Sequence, residues 1–254
     1  MDYISGIESA FKTYIGEDSI DKLREKITSK PMILIAGDQL TGKSTQAKNL
    51  ADFFNGSFHS VGALFREAAK NRGITVAEQA KLLLVERGID VEIDYKTCQV
   101  ITGAGIDSSL GVVEGRQPAY MGNFMASLGK KNLIRLYLQC SIREQALRFL
   151  RREVSEDAYL VGKEQIPEKD YKNLESLNAI IETLDIGQGE EVMSEFVENQ
   201  SRDEDDRHRY SGLYGFDYGN LDVYDIVLNT NDKEPNTVFQ EILEKLEESG
   251  FRTN

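Results

Sequence analysis

The chain has 254 residues, 43 of them acidic against 30 basic, for a formal net charge of −13. That balance excludes a protein whose affinity for bulk nucleic acid rests on neutralising phosphates, so an anionic ligand has to be met by local clusters of charge. The 40% apolar and 29% charged content fits a soluble globular chain with one main core, and no run approaches the roughly 18 apolar residues of a membrane span.

Residues 1–30 carry Ile4, Ile7, Phe11, Tyr14 and Ile15 at helical spacing, then a second short apolar pattern from Ile20 to Ile27 that stops before Pro31. This predicts a helical extension packed on the main domain and open to self-association or protein contact. It has no basic start and no apolar run, so no secretory signal is expected and the location is expected to be cytoplasmic. From Met32 the pattern changes. The runs "MILIAG", "LGVVEG", "LIRLYLQC" and "VYDIVLNT" lack polar alternation and are separated by helix-length stretches such as "TVAEQAKLLLVERG" and "SIREQALRFLRREV". Strands without alternation are covered on both faces, which predicts an α/β fold with a parallel sheet and helices on either side. Residues 155–189 turn polar and contribute no strand, and Leu174, Leu177, Ile181 and Leu184 mark one short helix within an insertion. Cys98 and Cys140 are expected as buried free thiols, and with only His59 and His208 to help there are too few ligands for a zinc site.

"GDQLTGKS", residues 37–44, satisfies G-x-x-x-x-G-K-[ST] directly after the first apolar run and opens a helix-like segment with Ala47, Leu50, Ala51 and Phe54 on one face. Gly37 and Gly42 allow a turn in which the N–H groups of Asp38, Gln39, Leu40, Thr41, Ser44 and Thr45 point at phosphate oxygens. Lys43 reaches the terminal phosphates and the Ser44 hydroxyl ligates magnesium. ATP and Mg2+ are the ligands this loop implies, within a P-loop domain expected over residues 31–250.

A phosphate loop does not name the acceptor. Downstream come "FHSVGALFREAAKNRGITVAEQAK", "VERGIDVEIDYKTC", "GVVEGRQPAYM", "REQALRFLRRE", "DDRHRYSGLYGFD" and "VYDIVLNT". In this order and spacing they resemble the cytidylate kinases, most closely the short, archaeal-type branch of the nucleoside monophosphate kinases, over roughly residues 32–246. The extension and the insertion at about 155–189 lie outside the resemblance.

The resemblance implies a P-loop kinase with a five-stranded parallel sheet, a helical acceptor-binding region at 60–109 and a lid at 148–210. It implies that Ser60, Arg66 and Arg116 bind the acceptor phosphate, and that Arg148, Arg152, Arg202 and Arg209, with Arg207 nearby, place charge over the migrating phosphoryl group as the lid closes. Arg148 and Arg152 are expected on one helix face. Gln145 stands where the family often has another arginine, and Gln117 and Pro118 where the short branch usually has Leu-Ala.

Glu114, at the end of a buried strand, fits either magnesium and its waters or a hydrogen bond to the phosphate loop. Asp90 and Asp94 are one helical turn apart, and a solvated face is the preferred reading. Tyr210, Tyr214 and Asp217 are expected to anchor the return of the lid. Asp225 and Asn229 to Asn231 fit either strand capping or contact with adenine. The expected reaction is phosphorylation of a nucleoside monophosphate by ATP, with CMP or dCMP favoured. The alternatives are a P-loop kinase for another small molecule and a nucleotide-binding regulatory protein without turnover. A GTPase is disfavoured because no N-K-x-D segment is present.

Overall fold

A computed structural model describes residues 2–83, 86–171, 174–186 and 189–252, without the side chains of 77, 174–176, 189–195 and 198–202. Its centre is a sheet of five parallel strands, β1 (Met32–Ala36), β2 (Ser57–Ser60), β3 (Gly111–Glu114), β4 (Leu133–Gln139) and β5 (Ile226–Asn229), in the order β2-β3-β1-β4-β5. The expected α/β fold with a five-stranded parallel sheet is the one observed. Because β1 lies between β3 and β4, the chain leaves it at the point where the strand order reverses, and open α/β sheets bind ligands there.

The helices follow in chain order: α1 (Tyr3–Tyr14), α2 (Ser19–Glu25), α3 (Lys43–Phe53), α4 (Val61–Arg72), α5 (Val76–Leu82), α6 (Arg87–Ile101), α7 (Pro118–Ser127), α8 (Ile142–Phe149), α9 (Glu156–Gln165), α10 (Leu174–Ile181), α11 (Gly189–Tyr214) and α12 (Pro235–Glu248). Every residue of β1 is buried, and alternate side chains feed two cores. Met32, Leu34 and Val113 meet Phe11, Tyr120, Met121 and Phe124 on one face. Ile33, Ile35, Val112, Leu136 and Leu138 meet Ala47, Leu50, Ile242 and Leu246 on the other. This is why the strands read as unbroken apolar runs.

The N-terminal helices are part of the first core. Phe11 is fully buried and edge-on to Tyr95 and Phe124 at 5.3 and 5.4 Å. Gly6 sits so close to the end of α11 that a Cβ there would stand 2.6 Å from the Tyr214 carbonyl oxygen. Buried Lys130 donates to the carbonyls of Thr28 at 2.9 Å and Lys30 at 2.7 Å, fastening the connector to the sheet.

The segment from α8 to α11 forms a third core of Leu147, Phe149, Leu150, Ile166, Leu177, Ile181 and Phe196. Between α8 and α9 the backbone makes a π-helical turn over Leu150–Val154. Among the described residues no helix is long and apolar enough to cross a membrane, and the free thiols are Cys98, buried, and Cys140, half-buried.

Candidate active site

The phosphate loop joins β1 to α3, and its glycines answer to identifiable contacts. Gly37 has φ +150°, and a Cβ on it would lie 2.3 Å from the Leu138 carbonyl oxygen. Gly42 has φ +90° and caps α3. Leu40 takes φ +62° without that freedom, a local strain of the kind found where a loop is shaped for a ligand. The Thr41 hydroxyl donates to the Asp38 carbonyl at 2.9 Å, and Lys43 Nζ reaches the same oxygen at 2.9 Å. Burial, reinforced by the neighbouring Arg116 charge, lowers the Lys43 pKa. The ammonium is thus poised where anionic oxygens restore its preference for charge. Ser44 and Thr45 are exposed on the first turn of α3.

Across from the loop, β2 and β3 end side by side. Ser60 caps α4, its Oγ accepting from Ala63 N at 3.2 Å and donating to Glu114 Oε1 at 2.5 Å. Glu114 is buried and pairs in register with Ile35 of β1, which places its carboxylate at the loop. Magnesium takes most of its ligands from phosphates and water rather than from a protein cage. The exposed hydroxyl of Ser44 with a carboxylate nearby fits that habit, and no group of three or more acidic, His or Cys side chains is gathered among the described residues. Arg66, on α4, is exposed and folded back towards Gly62.

Arg116 follows β3 and turns under α11. Its Nε and Nη2 donate to Asp203 Oδ1 at 2.8 and 2.5 Å, and Nη1 pairs with Asp206. Burial opposes its charge, but Asp206 and Asp203 more than offset this and raise its pKa. The other carboxylate oxygen of Asp203 accepts from the Gln39 N–H at 3.0 Å. One anionic group therefore spans an amide of the phosphate loop and the arginine at the end of β3. Arg207, next along α11, holds Asp38 through Nη2 at 2.7 and 2.9 Å and Asp217 through Nη1 at 2.9 Å. Asp38 has its pKa raised by burial and by Asp203, against the pull of Arg207 and Lys43.

Several expected positions are corrected. Asp90 and Asp94 do not form a solvated face; they are 3% and 0% exposed. Asp94 accepts from Gln117 Nε2 and from the Tyr214 hydroxyl, both at 2.7 Å. Burial, with Asp90 adding to it, pushes Asp94 up to about 7, and burial, opposed by Arg209, pushes Asp90 up to about 6. Arg209 lies over this pair, its Nε 2.7 Å from Asp90 Oδ2 as a contact of charges rather than an aligned hydrogen bond, and its Nη2 2.5 Å from Asp206. Arg209 thus joins α11 to α6.

Arg148 and Arg152 do not share a face. The π-helical turn after Phe149 adds a residue to the turn and rotates Arg152 outward, where it is exposed and pairs with Glu153 at 2.5 Å. Arg148 points instead along the phosphate loop towards the end of β5. It donates to the Leu40 carbonyl and Thr230 Oγ1 at 3.0 Å each and to the Thr230 carbonyl at 2.5 Å, and it is braced by Glu144 at 2.8 Å. It lies beside Leu40 and Gly42 of the phosphate loop, in the wall of the cavity that opens there. The Arg202 side chain lies outside the described residues.

Asp225 precedes β5 rather than ending it and accepts from Arg135, a structural pair. The side-chain Oδ1 atoms of Asn229 and Asn231 accept from the backbone N–H groups of Asn231 and Ser141, both at 2.8 Å, which is the capping role. Asp203 and Asp206 went unrecognised in the sequence because acidic residues on a charged helix carry no signal of their own.

No protein-family model matches the chain. It is 25% identical over 216 residues to a cytidylate kinase of Staphylothermus marinus, covering 85% of this chain and 96% of that one. It is also 25% identical over 208 residues to a cytidylate kinase of Pyrococcus furiosus, covering 82% and 84%. Among solved structures, an uncharacterized protein from Eubacterium ventriosum superposes with a TM-score of 0.51 at 14% identity, covering 86% of this chain and 99% of that one; this likeness is one of fold.

Proposed function

We propose that this cytidylate kinase-like chain transfers the terminal phosphoryl group of ATP to the phosphate of a nucleoside monophosphate, with CMP or dCMP as acceptor. The observation that carries the reading is the Asp203 carboxylate, which touches the Gln39 N–H at 3.0 Å and Arg116 Nε at 2.8 Å. Where one small anion bridges a donor-side amide and an acceptor-side guanidinium, a phosphoryl group in transit meets both.

In this reading the loop amides and Lys43 hold the β and γ phosphates, while Arg116 and Arg66 fork onto the acceptor phosphate. Ser44 and Glu114 are the residues that would hold magnesium, which would supply charge neutralisation on the phosphate oxygens. Arg207 and Arg209 sit on the helix that closes over the site, with Arg202 on the same helix, while Arg152, in the turn after α8, is exposed and would have to leave Glu153 to reach a phosphate. The acceptor phosphate is already anionic, so no general base is required. Alignment and electrostatic stabilisation supply the rate, and closure of the lid excludes water that would otherwise take the phosphoryl group.

The similarity to cytidylate kinases supports the choice of a cytidine acceptor. A panel of monophosphates assayed for ADP formation tests it, with CMP and dCMP expected to stimulate most. Stimulation by another small hydroxyl compound and by no monophosphate would mean a different P-loop kinase, and ATP binding with no turnover would mean a regulatory protein.

A further inference from the structure

The cavity beside the phosphate loop is built partly from a segment that has no counterpart in the family resemblance. It has a volume of about 220 Å³ and opens on Gly42 and Thr45 at the start of α3. A nucleotide whose phosphates rest on the loop therefore extends its nucleoside into this space. Thr230 and Pro235, at the end of β5 and the start of α12, form a second wall. The third wall is Arg151 with Tyr159 and Lys163 of α9.

Helix α9 is held firmly in this position. Ser155 caps it, accepting from Ala158 N at 3.0 Å. At its other end the buried guanidinium of Arg143 donates to the carbonyls of Lys163 at 2.9 Å and Ile166 at 3.0 Å, satisfying C-terminal oxygens that would otherwise lack partners. Gly162 lets the helix close onto α8; a Cβ there would stand 2.7 Å from Leu150 Cδ1 and 3.1 Å from Leu147 Cδ2. On the face so presented, the Tyr159 ring carries the Arg151 guanidinium at 5.0 Å and Lys163 Nζ at 5.8 Å. One aromatic ring thus lies against two cations at the mouth of the cavity, Arg151 being held there by Glu156 at 2.6 Å.

We infer that the insertion helix α9 completes the donor-nucleoside site, with Tyr159 and Lys163 contacting the base or ribose of the donor triphosphate. The inference rests on the reading of the phosphate loop as the donor side of a kinase. It assigns the insertion to donor selection rather than to the acceptor, which is met by β3, α4 and α11 on the other side of the loop.

The experiment measures ATP and GTP binding to the full-length protein by calorimetry, for the wild type and for Tyr159→Ala and Lys163→Ala. Lys163 is exposed, so its variant keeps the fold even if the tyrosine variant loosens α9. Each variant is expected to weaken ATP binding about tenfold and to change the ATP to GTP ratio, while the dissociation constant for CMP, read by the same calorimetry, stays within about twofold. Unchanged donor affinity in both, or donor and acceptor constants rising together, overturns the assignment. Because binding is read without turnover, a protein that phosphorylates no monophosphate still answers this question separately.

Discussion

Asp203 Oδ1 accepts from Arg116 Nε at 2.8 Å while its second oxygen accepts from the Gln39 N–H at 3.0 Å, so a carboxylate of α11 occupies the junction between phosphate loop and acceptor arginine. A phosphate arriving at Arg116 has to displace that carboxylate. Asp203→Asn keeps an acceptor for Gln39 but removes one of the two charges that neutralise Arg116, the other being Asp206. The expected result is a fall of about three- to tenfold in the acceptor KM. A rise in KM in steady-state assays would show that Asp203 orients Arg116 rather than competing with the acceptor.

Arg116, at the end of β3, and Arg148, between the phosphate loop and Thr230, are expected to separate kinetically. Arg116→Ala removes a two-pronged phosphate contact and is expected to raise the acceptor KM by about a hundredfold, with donor affinity little changed. Arg148→Ala breaks the brace between Leu40 and Thr230 and is expected to weaken donor binding instead. Measuring KM for both substrates in both variants checks the pairing, and acceptor-selective damage from Arg148→Ala would set that residue on the acceptor side.

Asp94 and Asp90 make stability depend on pH with a definite sign. Burial raises them to about 7 and about 6 from an ordinary value of 3.8. Their contribution is fully present below that ordinary value, where folded and unfolded chains are both protonated. It is lost as pH rises through the raised values, where the unfolded chain ionises freely and the folded one resists. Asp94→Asn keeps partners for Gln117 and Tyr214 without the charge. In denaturant unfolding the stability of the wild type relative to this variant is expected to fall between about pH 4 and pH 8, by on the order of a few kcal/mol. A difference independent of pH would mean that Asp94 does not titrate in that range.

The N-terminal helices carry part of the main core rather than decorating it. Phe11 is fully buried against Tyr95 and Phe124, and Phe11→Ala is expected to cost about 3–5 kcal/mol in global unfolding. Loss of less than about 1 kcal/mol would show that α1 unfolds by itself before the rest.

What could be read from the sequence was what short range determines. The phosphate loop is a local device, in which strand, turn glycines and helix start are adjacent in the chain. The apolar runs of β1, β3, β4 and β5 likewise report burial on both faces. Strand β2 gave little signal because its four residues, Ser57–Ser60, are only half-buried at the sheet edge. The burial of Asp94 was not legible, since its partners Gln117 and Tyr214 come from 23 and 120 residues away. The destination of Arg148 depended on a π-helical turn that regular helical spacing does not foretell. Gln117 and Pro118, departures from the family pattern, proved to be the partner of Asp94 and the first residue of α7.

The central claim is that a phosphoryl group passes from a nucleotide on the phosphate loop to one held by Arg116. Incubating the protein with CMP and ATP labelled at the γ phosphate, then separating the products by chromatography, tests it most directly. The label is expected in the β position of CDP, with little in free phosphate and with transfer sharply reduced in Arg116→Ala at CMP concentrations near the wild-type KM. Label released only as inorganic phosphate, or transfer to CMP that persists unchanged in Arg116→Ala, would contradict it.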